Sequence, residues 1–100
     1  MPEWSFLTHH AHVLRCVAGD PGMRVRDIAD CVGITERAVH RIVSDLVEAG
    51  YLSRRRVGRR NHYEIDRGVP LRHPLERDHD VGWLLSRLLE ERPSVSPEAG

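Results

Sequence analysis

Arg37, His40, Arg41 and Ser44 recur at helical spacing, so they share one face, opposite an apolar stripe of Val39, Ile42, Val43 and Leu46. Thr35 and Glu36 stand at the leading end of that face. A guanidinium held out in this way offers a planar fork of donors, matched to the edge of a guanine or to a phosphate. Shortly downstream, Arg54-Arg55-Arg56-Val57-Gly58-Arg59-Arg60-Asn61 packs five arginines into eight residues. Such a run suits phosphates. Arg59, Arg60 and Asn61 form its tip, and Arg54 and Arg56 share one side of a strand. Arg55 points the other way, as a candidate ion-pair partner for Asp45 or Glu48.

The elements that position these groups follow from periodicity and turn chemistry. A first helix is expected over residues 5–17, with Phe6, Leu7, His10, Val13, Leu14 and Val17 on one face and His10 as a core histidine bonded to a backbone carbonyl. Ala18-Gly19-Asp20-Pro21-Gly22 ends it. Met23 to Val25 is expected as a short edge strand. A second helix covers residues 26–31, turning Ile28, Ala29 and Val32 inward. Gly33 permits a left-handed turn, Ile34 fills the gap between helices, and Thr35 caps a third helix that runs to residue 49, where Gly50 closes it. Residues 51–57 and 62–66 read as strands, with Tyr63 and Ile65 inward and His62, Glu64 and Asp66 outward. Pro70 and Pro74 oppose helix, so residues 68–77 are expected as an extended linker. A last helix is expected over residues 78–92, ahead of a disordered tail at 93–100.

The pattern Ile28-Ala29-x-x-Val32-Gly33-Ile34-Thr35-x-x-Ala38-Val39-x-x-Ile42-x-x-x-Leu46, followed by Ala49-Gly50-Tyr51-Leu52, meets several separate demands. Ala29 is small where the next helix crosses, Gly33 tolerates positive φ, and Val39 and Ile42 lock the second helix onto the first. Over residues 6–65 the chain resembles winged helix-turn-helix regulators of the MarR and ArsR kind. That resemblance implies a mainly α fold with a small β-wing: a three-helix core and a two- to three-stranded antiparallel hairpin within residues 1–67, plus the C-terminal helix. It also implies sequence-specific binding of double-stranded DNA by a homodimer, usually a repressor. The helix over residues 35–49 would lie in the major groove, with the wing over residues 54–61 on the minor groove or its phosphates. Arg37 and Arg41 are expected to read bases, Thr35 and Ser44 to hold phosphates, and His40 to do either.

Composition fits this reading only once charge is located. The 100 residues carry no net charge, and all fifteen basic residues are arginine. Between Tyr51 and Arg67 six arginines meet two acids, whereas from Glu76 onward six acids meet three arginines. A basic middle and an acidic end suit a protein with one surface on phosphates. No apolar run reaches membrane-spanning length, no signal peptide is evident, and Cys16 and Cys31 are expected as free thiols of a cytoplasmic protein. No catalytic constellation stands in a usable context, so an enzyme is not expected, and no cofactor is implied.

The last helix places Val81, Leu84, Leu85 and Leu88 on one stripe and Trp83 nearly opposite. That pattern suggests a dimer interface, which Trp4 and Phe6 would join. His9, His12 and Cys16, at i, i+3 and i+7, are the candidates for a metal site. Two other readings therefore stand beside DNA binding: a winged helix used for protein interaction, and a sensor of the ArsR kind responding to a metal or small molecule.

Overall fold

The computed structural model describes residues 3–89. In chain order the elements are α1 (His9–Gly19), α2 (Val25–Val32), α3 (Glu36–Glu48), β1 (Leu52–Val57), β2 (Arg60–Ile65) and α4 (Val81–Leu88). The first three helices pack on one another, the β1–β2 hairpin projects from them, and α4 returns to α1. This is a winged helix: mainly helical, with an antiparallel hairpin as its wing.

Local chemistry explains the helix bounds. Thr8 caps α1, its hydroxyl accepting from the Ala11 amide at 3.4 Å. The helix therefore starts at His9 rather than near residue 5, and Phe6, expected on its inner face, is 92% exposed. Met23 and Arg24 form no strand, and Val25 already opens α2. The sheet has two strands, and the third segment is represented by one backbone bond from the Tyr63 amide to the Pro21 carbonyl, 2.9 Å. Gly33 ends α2 at φ 86°, a left-handed conformation that costs a side-chain-bearing residue energy. Two residues later the Thr35 hydroxyl accepts from the Ala38 amide at 3.0 Å and starts α3.

The core gathers Val13, Leu14 and Val17 of α1, Ile28, Ala29 and Val32 of α2, and Val39, Ile42, Val43 and Leu46 of α3. Tyr51, Leu52 and Tyr63 close it on the wing side, and Val81 and Leu85 on the other. Full burial of each aliphatic side chain contributes about 1.5–3 kcal/mol. Val81 and Leu85 together thus rival a large share of a small domain's margin of about 5–15 kcal/mol, which makes α4 part of the domain. Both had been expected on a partner interface. At 1% and 0% exposure they are spent within the chain itself.

Residues 68–77, expected to be extended, instead begin a loop that doubles back on itself. Pro70 bridges to Asp80, the Leu71 amide donates to the His79 carbonyl (3.0 Å), and the Val81 amide donates to the Val69 carbonyl (3.0 Å). The Tyr51 hydroxyl clasps this loop by donating to the Pro70 carbonyl at 2.6 Å. Burial raises the Tyr51 pKa against the pull of Arg72, which favours the neutral, donating form. Asp80 then caps α4 by accepting from the Trp83 amide at 2.8 Å, so α4 starts at Val81 rather than at 78. At Gly82 the helix comes so close to the chain that an added Cβ would lie 2.8 Å from the Arg67 Cβ and 2.9 Å from its carbonyl oxygen. The far end of the expected last helix and the tail at 93–100 lie outside the described residues.

Candidate nucleic-acid interface

α3 and the hairpin supply the surface. Val39, Ile42, Val43 and Leu46 bury one face of α3, and Thr35, Glu36, Arg37, His40, Arg41 and Ser44 are all exposed on the rest. Among the described residues Arg37, His40 and Arg41 have no hydrogen-bond or ion-pair partner within the chain. A helix that needed its arginines for stability would pair them with nearby acids. Asp45 does not serve that purpose, because its carboxylate meets His10 Nε2 of α1 at 2.9 Å.

That contact corrects the expectation for His10. The ring is 44% exposed and bonds a carboxylate across two helices, not a backbone carbonyl in the core. It also removes Asp45 as a partner for Arg55. No ion pair of Arg55 forms among the described residues, and Glu48 is not bonded to it.

In the wing, Leu52 pairs with Ile65 and Arg54 with Tyr63, so Arg54 and Arg56 share the side on which the hairpin is rooted. Beyond Leu52 every residue of β1 is exposed. The turn is tighter than the sequence suggested: Val57 pairs with Arg60, leaving Gly58 and Arg59 as the two loop residues. Arg56 Nε donates to the Gly58 carbonyl at 3.3 Å, and Arg59 is exposed at the tip. Arg60 has another role. Its guanidinium donates to the Gly22 carbonyl at 2.6 Å and ties the wing to the α1–α2 loop. Asn61 lies half-buried beside it.

The remaining candidates are spread out. His9 and His12 lie 5.8 Å apart between ring centroids with their planes tilted by 45°, but Cys16 turns into the core, 9% exposed. Among the described residues no three His, Cys, Asp or Glu side chains are grouped to hold a metal ion. Burial, with the Cys31 thiol beside it, pushes the Cys16 thiol up to about 11, against the pull of Arg15. Both cysteines are free. Trp4 (69% exposed) meets Phe6 edge-on at 5.1 Å, and Trp83 (40% exposed) stacks on His79 at 3.9 Å with Arg87 5.8 Å from its ring. Leu84 and Leu88 are half-buried. Sequence reasoning missed a groove of about 860 Å³ between α1, the end of α3, the returning loop and α4, onto which Phe6, His10, Arg72, His79 and Trp83 open. Its far wall is built by the returning loop, which left no local signal.

No helix among the described residues is long and apolar enough to cross a membrane. No curated protein matches the chain. Among solved structures the chain is similar to the PcaV transcriptional regulator from Streptomyces coelicolor, determined in complex with its natural ligand. The two are 24% identical with a TM-score of 0.53, over 92% of this chain and 66% of that one, which supports the fold. Residues 6–60 match the profile of the MarR family, a span from the approach to α1 to the start of β2. With a capped, outward-facing third helix behind a left-handed turn and an arginine-rich wing beside it, the chain belongs to the MarR family of DNA-binding transcriptional regulators.

Proposed function

We propose that this chain works as a homodimeric, cytoplasmic repressor that reads a pseudo-palindromic operator, with α3 in the major groove and the wing on the adjacent minor groove. One observation carries the reading: Arg37 and Arg41 are exposed on a well-capped helix and have no hydrogen-bond or ion-pair partner among the described residues, although acids are present on the same helix. Unspent guanidinium groups behind a left-handed turn are suited to base edges, and a bidentate contact is worth about 1–3 kcal/mol of discrimination. Arg54, Arg56 and Arg59 supply phosphate contacts, and Arg60 supports the wing from behind. Exposed Trp4, Phe6 and Leu75 favour a twofold partner, since paired half-sites need paired reading helices.

Recovery of cross-linked genomic DNA, followed by binding of the recovered duplex across a salt series, tests this reading. The expected result is one enriched inverted repeat, bound far more tightly than random duplex, with affinity falling steeply as salt rises. Elution from both duplexes at moderate salt would instead indicate a protein-interaction module. The groove favours a second reading alongside the first, in which a small organic effector sits between α1 and α4 and alters operator affinity.

A further inference from the structure

We infer that the cleft between the α1–α2 loop and the tip half of the wing holds a phosphate site, in which Arg24 and Arg59 grip a backbone phosphodiester of the DNA strand running between the major groove and the minor groove. This rests on the DNA-binding reading and adds to it Arg24, a contact outside both α3 and the hairpin, acting with Arg59 at the hairpin tip.

A cleft of about 330 Å³ opens between the α1–α2 loop and the start of β2. Three arginines, Arg24, Arg59 and Arg60, line it together with Asn61 and the backbone at Gly22 and Met23, and no acidic residue does. Such a lining is complementary to an anion. The three arginines are not equivalent. Arg60 is committed to the Gly22 carbonyl at 2.6 Å, which fixes the two walls of the cleft relative to each other. Arg24 and Arg59 are exposed and without hydrogen-bond or ion-pair partners among the described residues, one on each wall. The Arg24 carbonyl accepts the first α2 bond, from the Ile28 amide at 2.9 Å, but its guanidinium is uncommitted among the described residues. The residue precedes α2 but its side chain makes no capping bond.

Position supplies the identity of the anion. When the second helix of a helix-turn-helix lies in the major groove, the first crosses the sugar–phosphate backbone. With the wing in the neighbouring minor groove, one strand must pass between the start of α2 and the hairpin. In that pose the cleft would lie at the crossing, since its walls are the residues before α2 and the hairpin loop with the start of β2. The cleft's lining of guanidinium groups, with no aromatic face exposed for stacking and no acid, suits a phosphodiester rather than a base. Arg24 therefore adds affinity without reading sequence, and Arg60 acts as a positioning residue that holds the clamp open.

The test measures binding of the intact chain to its recovered operator and to random duplex of the same length across a salt series. Arg24→Ala is expected to weaken both by the same factor, about fivefold at moderate salt, and to lower the salt slope by about one. Arg24→Lys should restore the slope, because it keeps the charge. Circular dichroism checks that the fold survives, and exposure of Arg24 makes that the expected result. An unchanged slope in Arg24→Ala, with wild type still binding, overturns the clamp and leaves the DNA-binding reading intact. So does a loss confined to the operator, which would make Arg24 a reader of sequence. Titration with inorganic phosphate alone, followed by the arginine side-chain signals, separates the sources: saturation at Arg24 with no effect of Arg24→Ala on DNA would assign the cleft to a free anion and overturn the proposal. Wild type that binds neither duplex would defeat the parent reading instead.

Discussion

α3 and α4 are both short, amphipathic and opened by a side-chain cap, Thr35 for one and Asp80 for the other, yet they treat their outer faces differently. On α3 the outer arginines have no hydrogen-bond or ion-pair partner among the described residues. On α4 the outer Trp83 is already engaged, stacked on His79 and approached by Arg87. α3 buries four side chains and α4 two, so α3 is anchored firmly enough to leave its polar face idle. The contrast separates two tasks that an amphipathic pattern alone does not. A helix whose charged groups remain unspent in the folded chain has them available for an external partner. A helix whose exposed aromatic is already stacked is completing its own domain.

Breaking the comparison starts with the core. Leu85→Ala removes a fully buried side chain from α4 and is expected to cost about 2–5 kcal/mol, read from urea unfolding. If α4 is part of the domain, the loss is the same at every protein concentration. A loss that disappears on dilution would return Leu85 to a partner interface.

Arg37→Ala and Arg41→Ala should each forfeit about 1–3 kcal/mol of discrimination between operator and random duplex, with the unfolding midpoint unmoved. A shifted midpoint would show that these arginines do serve the fold. Thr35→Ala should cost about 1 kcal/mol of stability by freeing the Ala38 amide, and should weaken operator binding only in proportion.

The smallest expected effect is a pH dependence. The Cys16 pKa is raised in the folded chain, so above the ordinary thiol value of 9.0 the unfolded chain releases a proton that the folded chain keeps. Stability is thus fully present below pH 9 and declines as pH climbs toward about 11. Cys16→Ala should flatten that decline in a urea-unfolding series. Cys31, exposed on α2, should meanwhile alkylate ahead of Cys16 in the folded chain.

The helix-turn-helix was legible because its determinants are local. Gly33, Thr35 and the 3.6-residue stripe of α3 each act within a few residues, and the alternation around Tyr63 fixed the inner side of the wing. What was not legible depends on distant partners. His10 meets Asp45 thirty-five residues away, Arg60 meets Gly22 thirty-eight away, and Tyr51 meets Pro70 nineteen away. No periodicity encodes such pairs. The two prolines of the returning loop indicated only that it is not helical, so its reversal and the bridge to Asp80 were hidden. The late start of α1 was missed for a different reason. Phe6 and Leu7 extend the apolar spacing past Thr8, and the cap overrules the pattern.

The hydroxyl of Tyr51 has a mechanical consequence. Tyr51 stands between the last turn of α3 and the first residue of β1, and it grips the loop that leads into α4. The end of α3, the foot of the hairpin and the approach to α4 are therefore tied at one residue. Beside the packing of Val81 and Leu85 in the shared core, this phenol gives a load applied at α4 a direct polar link to α3 and the wing.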